Sequence, residues 1–191
     1  MKPVVSVCIP VFNGAPFIAK AIESALAQTF TSFELVVLNN ASTDNTAEIV
    51  SGYHDPRLRV INNPVNIGAI GNFNKTLSIA QGQYVKILCA DDYLYADCLE
   101  KQVAAMEAPG NEAVVMVCCS RDIVDEHGAK WLKRGFLARS GRMNGRLAVR
   151  RNVRSGANLI GEPSAVLLRS DAVRKEDLFR EEFSLCMDLD F

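Results

Sequence analysis

Five short apolar runs, Val4 to Val11, Phe33 to Leu38, Leu58 to Ile61, Tyr84 to Cys89 and Val114 to Cys118, alternate along the chain with segments of helical periodicity. Runs this short and this apolar fit strands covered on both faces. Between them, Ala15 to Ala27 sets Phe17, Ile18, Ala21, Ile22, Ala25 and Leu26 at helical spacing, and Thr43 to Val50 and Ala69 to Ala80 show comparable patterns, with Ala96 to Met106 a further helical segment. Parallel strands need crossover helices, so the alternation predicts an α/β fold with a mostly parallel central sheet. Ligands in such sheets bind beyond the carboxyl ends of the strands.

A length of 191 residues and a hydrophobic fraction of 49% suit one sizeable domain with an ample core. The formal net charge of -1 argues against a general nucleic-acid binder. No run of about 18 apolar residues appears, and the amino terminus lacks a basic segment followed by an apolar one, so a soluble, cytoplasmic chain is expected. The cysteines Cys8, Cys89, Cys98, Cys118, Cys119 and Cys186 form no C-x-x-C pair and read as reduced thiols. The histidines, His54 and His127, are far apart and in polar surroundings, which disfavours histidine-based metal or triad chemistry.

Three expected strand ends carry unusual polar residues. The first is Pro10-Val11-Phe12-Asn13-Gly14, where Asn13 and Gly14 also suit a simple turn. The second is Asn39-Asn40-Ala41-Ser42-Thr43-Asp44, in which Ser42 or Thr43 can cap the next helix while Asn39 and Asn40 are surplus to that role. Neutral amides both donate and accept, as the edge of a nucleobase requires. The third is Asp91-Asp92, a pair whose mutual repulsion calls for a cation, although Asp92 or Asp97 could equally cap the following helix. Oxygen ligands favour Mg²⁺ or Mn²⁺, which commonly bridge to substrate phosphates. A base reader beside a metal site points to a nucleoside diphosphate.

The ordered set Val5-Ser6-Val7-Cys8-Ile9-Pro10-Val11-Phe12-Asn13, Gln28-Thr29-Phe30, Asn39 to Asp44, Asn66-Ile67-Gly68 and Ala90-Asp91-Asp92 resembles the family 2 glycosyltransferases of GT-A fold. Gly161-Glu162-Pro163-Ser164-Ala165-Val166 and Met187-Asp188-Leu189-Asp190 extend the resemblance. It implies a Rossmann-like three-layer αβα sandwich and an inverting transferase for hexosyl or deoxyhexosyl groups in cell-surface polysaccharide or lipopolysaccharide synthesis. It further implies a single domain over residues 1–191, with a nucleotide-sugar-binding half at 1–120 and an incomplete acceptor-side half at 121–191. Pro10, Phe12, Asn13, Asn40, Asn66, Gly68, Asn74 and Asp91 would hold the nucleotide sugar, Asp92 with Asp91 the metal, and Asp188 would act as base on the acceptor hydroxyl. The implied partners are a nucleoside-diphosphate sugar and a saccharide or lipid-linked saccharide acceptor.

The sequence departs from the family pattern at several of these positions. Asn39-Asn40 replace an acidic pair, Cys89 stands where the acidic motif often begins, Phe73 replaces an arginine before Asn74, and Met187 replaces the glutamate beside Asp188. Residues 130–154 carry Lys130, Lys133, Arg134, Arg139, Arg142, Arg146, Arg150, Arg151 and Arg154 with no acid. Gly141 and Gly145 argue against a rigid helix there, leaving a solvated basic loop, or a patch for an anionic acceptor or for peripheral contact with the inner face of a membrane. A catalytically weak nucleotide-sugar-binding module is the alternative to an enzyme, since the chain stops soon after Asp188. A nucleotidyltransferase is disfavoured, because Asn13-Gly14-Ala15-Pro16 lacks the glycines and lysine of a phosphate loop.

Overall fold

The computed structural model describes residues 2–125, 127–136, 140–156, 158–173 and 179. In chain order the first half comprises β1 (Val5–Val11), α1 (Ile18–Leu26), β2 (Phe33–Asn39), α2 (Thr46–Ser51), β3 (Leu58–Asn62), α3 (Gly68–Ile79), β4 (Tyr84–Ile87) and α4 (Cys98–Glu107). The second half adds β5 (Met116–Cys118), β6 (Arg121–Val124), β7 (Lys130–Arg134), α5 (Gly145–Ser155), a 3₁₀ turn (Pro163–Ala165), β8 (Val166–Arg169) and α6 (Ser170–Val173). The central sheet runs β3-β2-β1-β4-β8-β5, with β6 and β7 in a separate two-stranded ribbon. Pairings among β3, β2, β1 and β4 are parallel, whereas β8 is antiparallel to both β4 and β5.

The two faces of the sheet carry different helices because side chains alternate along each strand. Val5, Val7, Ile9 and Val11 of β1 pack with Ile18 and Ile22 of α1, Val50 of α2 and Leu99, Val103 and Met106 of α4. On the opposite face Cys8, Val36, Val85 and Ile87 pack with Leu77 of α3 and Val173 of α6. This is the three-layer αβα arrangement. One close approach locks its lower edge: a side chain at Gly82 would meet the Ser6 backbone at 2.5 Å, and the Gly82 amide donates instead to Ser6 Oγ at 2.8 Å. That contact fixes the register of β4 beside β1, and hence where β4 ends.

The expected strands are present, but α1, α2 and α4 start two or three residues later than expected. Ser42 and Thr43 do not cap α2; their polar groups reach back to Asn13 at the tip of β1. Asp97 precedes α4 without a side-chain capping bond and instead pairs with Lys101 at 2.5 Å. The expectation against helix in the basic stretch is corrected. Gly145 stands at the first position of α5, where its flexibility costs little, and Asn144 caps the helix by accepting from the Arg146 amide. Lys130 to Arg134 form the outer strand of the ribbon with every residue exposed, Trp131 at 80%.

Candidate active site

The tips of β1 and β2 are fastened to each other by hydrogen bonds of long sequence range. The Asn40 amide donates to Val11 O at 2.8 Å and the Asn13 amide to Ser42 Oγ at 2.9 Å. Thr43 N donates to Asn13 Oδ1, Gly14 N to Thr46 Oγ1 and Ala15 N to Asp44 Oδ2. Asn13 and Ala41 take left-handed backbone conformations, φ 52° and 57°, which lets each strand end turn sharply. The turn leaves the Phe12 ring 47% exposed while Pro10 is buried. Phe12 is therefore the side chain of this tip that offers a flat apolar surface.

Asn40 lies at the centre of a buried amide network. Its Nδ2 donates to Asn66 Oδ1 at 2.8 Å and Gly68 O at 3.2 Å, and its Oδ1 accepts from Asn63 Nδ2 at 2.9 Å and Ile67 N at 3.0 Å. Two donors and two lone pairs are all a primary amide has. The side chain expected to meet the nucleobase is thus fully engaged with the protein in this structure. Asn63 also donates to Asn72 Oδ1 and accepts from Lys75 Nζ at 2.6 Å, so the network joins β2, the loop after β3, and α3. Asn66 and Gly68 are exposed on that loop, with the Gly68 amide donating to Asn66 Oδ1 and Gly68 at φ +77°.

Asp91 and Asp92 follow β4. One ligand atom each from Cys89, Asp91 and Asp92 lie within 4.8 Å of one another. The 3₁₀ turn supports this tip: Cys89 N donates to Ser164 Oγ at 2.9 Å and Asp92 N to Cys89 O at 3.0 Å. Burial pushes the Asp92 carboxyl above its usual range, and Asp91 and Glu162 add to the shift while Ser164 and Lys86 oppose it. Burial likewise pushes the Cys89 thiol up to about 12. A half-buried carboxylate next to a second one, without a salt-bridged cation among the described residues, is what a divalent ion would stabilise. The donor set fits such an ion.

The Asn74 side-chain amide bonds both backbone groups of Phe179, donating at 2.8 Å and accepting at 3.1 Å. Phe73, where an arginine was expected, packs edge-on against the Phe179 ring at 5.4 Å. Asp188 and Met187 lie outside the described residues. Sequence reasoning passed over Asn63, Asn72 and Lys75, whose signal was a density of asparagines around β3 and α3. It quoted Ser164 without assigning it the support of the acidic tip.

A mostly parallel α/β sheet with polar turns and an acidic tip at its carboxyl edge is the architecture in which nucleotide ligands bind beyond the strand ends. The chain belongs to glycosyl transferase family 2, whose profile matches residues 6–175. It is 32% identical over its whole length to an uncharacterized protein of Mycobacterium tuberculosis, covering 61% of that protein. Over 54% of the chain it is 36% identical to the Escherichia coli UDP-Glc:alpha-D-GlcNAc-diphosphoundecaprenol beta-1,3-glucosyltransferase WfaP, covering 41% of it. The Staphylococcus aureus TarS fragment solved with UDP-GlcNAc superposes with TM-score 0.75 at 23% identity, over 99% of this chain and 51% of that one, so the fold is GT-A. The Pyrobaculum calidifontis mannosyltransferase PcManGT, solved with GDP-Man and Mn²⁺, matches 62% of the chain and 36% of its own at TM-score 0.55 and 28% identity. The chain spans 61% or less of the length of these curated relatives.

Proposed function

We propose that this chain transfers a hexosyl or deoxyhexosyl group from a nucleoside-diphosphate sugar to an acceptor hydroxyl, with inversion, in the assembly of a cell-surface polysaccharide or lipopolysaccharide. The observation that carries this reading is the clustering of Cys89, Asp91 and Asp92 at the carboxyl end of β4. Asp92 and Asp91 would hold Mn²⁺ or Mg²⁺, which when bound would neutralise diphosphate charge. The Phe12 ring, the Asn13 turn and the loop carrying Asn66 and Gly68 would receive the base and ribose. Asn40 serves this site by holding that loop in place, and Asp91 lies nearer the sugar.

The reaction is one displacement. The acceptor oxygen attacks the anomeric carbon while its proton passes to Asp188, and the bond to the diphosphate oxygen breaks with both electrons leaving on the nucleotide. Attack opposite the leaving group inverts the centre, and no covalent intermediate forms. Residues 1–120 would form the donor half and 121–191 the acceptor half, with a saccharide or lipid-linked saccharide as acceptor. The UDP-Glc-dependent, diphosphoundecaprenol-directed E. coli relative supports this choice of acceptor. Residues 130–154 would then contact the inner face of a membrane peripherally.

Calorimetric titration with uridine, thymidine and guanosine diphosphates, with and without Mn²⁺, tests the donor half. Metal-dependent binding of one nucleotide is expected, and metal-independent or absent binding would overturn the assignment. Sugar transfer by the same preparation separates an enzyme from a module that only binds.

A further inference from the structure

Lys86 carries a charge for which the transfer described above has no use. It belongs to β4, just before the acidic tip, and is 0% exposed. Its Nζ donates to Gln102 Oε1 at 3.0 Å, Ser164 O at 2.6 Å and Val166 O at 3.4 Å. Three acceptors engage all three donors of an ammonium, so the group is charged where it lies. Each acceptor is neutral, and Lys86 forms no ion pair among the described residues. A buried charge without a counter-ion is costly, and an apolar side chain of similar length would fill the space without that cost. Packing therefore does not explain the lysine; what its Nζ holds does.

Lys86 holds a segment that arrives from far along the chain. The β4–β8 ladder pairs Tyr84 with Arg169 and Val85 with Leu168, and ends there, short of the acidic tip. Beyond it the carbonyls of Ser164 and Val166 accept from Lys86, and the Ala165 carbonyl between them accepts from Gln102 Nε2 and from the Cys119 amide, each at 3.0 Å. Gln102 thus bonds Lys86 with one end of its amide and the 3₁₀ turn with the other. On the β1 side, Leu88 N still donates to Cys8 O at 2.8 Å, but the next amide, Cys89 N, donates to Ser164 Oγ at 2.9 Å. From there Asp92 N turns back to Cys89 O at 3.0 Å. The residue whose hydroxyl takes over from the sheet where the acids begin is the residue whose carbonyl Lys86 grips.

We propose, resting on the assignment of Mn²⁺ or Mg²⁺ to Asp91 and Asp92, that Lys86 is a positioning residue for that ion and acts through Ser164. Lys86 fixes the Ser164 backbone, Ser164 Oγ fixes the Cys89 amide, and the turn from Cys89 to Asp92 then presents both carboxylates together. Support of this kind behind metal ligands changes affinity by ~10–100-fold. A purely electrostatic role has the opposite sign, because a cation behind the tip repels a divalent ion and its removal would tighten binding.

The test titrates Mn²⁺ alone into the parent chain, Lys86→Met, Ser164→Ala, Ser164→Thr and the double variant of Lys86→Met with Ser164→Ala, each shown by its melt to be folded. Free Mn²⁺ is read from its paramagnetic resonance signal. Ser164→Ala should bind ~10-fold or more weakly, and Ser164→Thr, which keeps the hydroxyl, should bind as the parent does. Lys86→Met should also bind more weakly, and the double variant no worse than the weaker single one, because both changes break the same relay. Parental affinity in Ser164→Ala overturns the proposal whether or not Lys86→Met folds. Equal or tighter binding in Lys86→Met, or losses that add in the double variant, overturn it as well. A parent chain that binds no Mn²⁺ overturns the metal assignment and this role with it, whereas a parent that binds and variants that match it overturn the role alone.

Discussion

At the scale of single residues, the proposed reaction assigns the metal to Asp92 and the base to Asp188. Burial raises the Asp92 carboxyl above its unfolded value of 3.8, so the folded state holds that proton more tightly than the unfolded one. Stability contributed by this group therefore falls as pH rises from the unfolded value through the folded one. At neutral pH Asp92→Asn removes the penalty. Its melting temperature without metal should equal or exceed the parent's, while Mn²⁺ affinity falls ~10-fold or more, as removal of a ligand or its support does. A calorimetric melt alongside a Mn²⁺ titration checks both, and a variant that is less stable but binds normally would show Asp92 to be structural. Asp188→Asn should lower turnover by ~10²–10⁴ with nucleotide binding unchanged, the scale of general-base help. Transfer at the parental rate would remove Asp188 from that role. The paired acids could be read from sequence because adjacent like charges at a strand end are a local pattern. The engagement of Asn40 could not, since its partners Asn63, Asn66, Ile67 and Gly68 are 23 to 28 residues away.

Among the elements, the Asn40 network decides how β2, the loop after β3 and α3 hold together. Asn40→Ala removes one of the two acceptors of Asn63 Nδ2 and the acceptor of the Ile67 N–H, and a buried polar group left unpaired costs ~1–3 kcal/mol. In a chain of this size that is a fall of roughly 2–10 °C in melting temperature. Were Asn40 a base reader alone, nucleotide affinity would fall with no thermal shift. A thermal melt without nucleotide separates the two. The loop before β3 gives a pH-dependent counterpart. The Arg57 guanidinium bonds the Asp55 carboxylate at 2.8 Å and holds it down to about 2, while it also donates to Leu26 O and stacks 4.6 Å from the Phe33 ring. A lowered folded pKa gives stability that is present above the unfolded value of 3.8 and lost as pH falls toward 2. Melts between pH 5 and pH 2 should show a smaller acid-dependent decline for Asp55→Asn than for the parent; identical slopes would mean the pair is fully solvent-screened. Strands β1, β2 and β4 were legible because near-continuous apolar runs report burial on both faces, whereas β3, at the sheet edge, is only partly buried. The β6–β7 ribbon was not, since Lys130 to Arg134 are all exposed and carry no inward pattern. Helix α5 was masked by glycines that prove to lie before it and at its first turn.

Across the whole molecule, the net charge of -1 conceals a segregation. Residues 130–154 hold cations and no acids, and within them α5 buries no residue completely. Ala148 and Asn152 are half-buried on the side toward the body, where Asn152 Oδ1 accepts from Leu159 N at 2.7 Å. Helical spacing sets Arg146, Arg150 and Arg154 in one row, with Val149 and Val153 beside them, exposed at 54% and 75%. A basic row flanking apolar side chains is the pattern of a helix lying in a lipid interface. No helix among the described residues is long and apolar enough to cross a membrane. Each cation near an anionic surface contributes ~1 kcal/mol. Reversing Arg146, Arg150 and Arg154 to Glu should therefore weaken binding to phosphatidylglycerol vesicles by ~100-fold or more, with little effect on phosphatidylcholine vesicles. Since these side chains are exposed, the melting temperature of the triple variant should stay near the parent's. Vesicle binding equal to the parent's would exclude α5 as the contact, and a retained surface effect with lost sugar transfer would place the row on the acceptor instead.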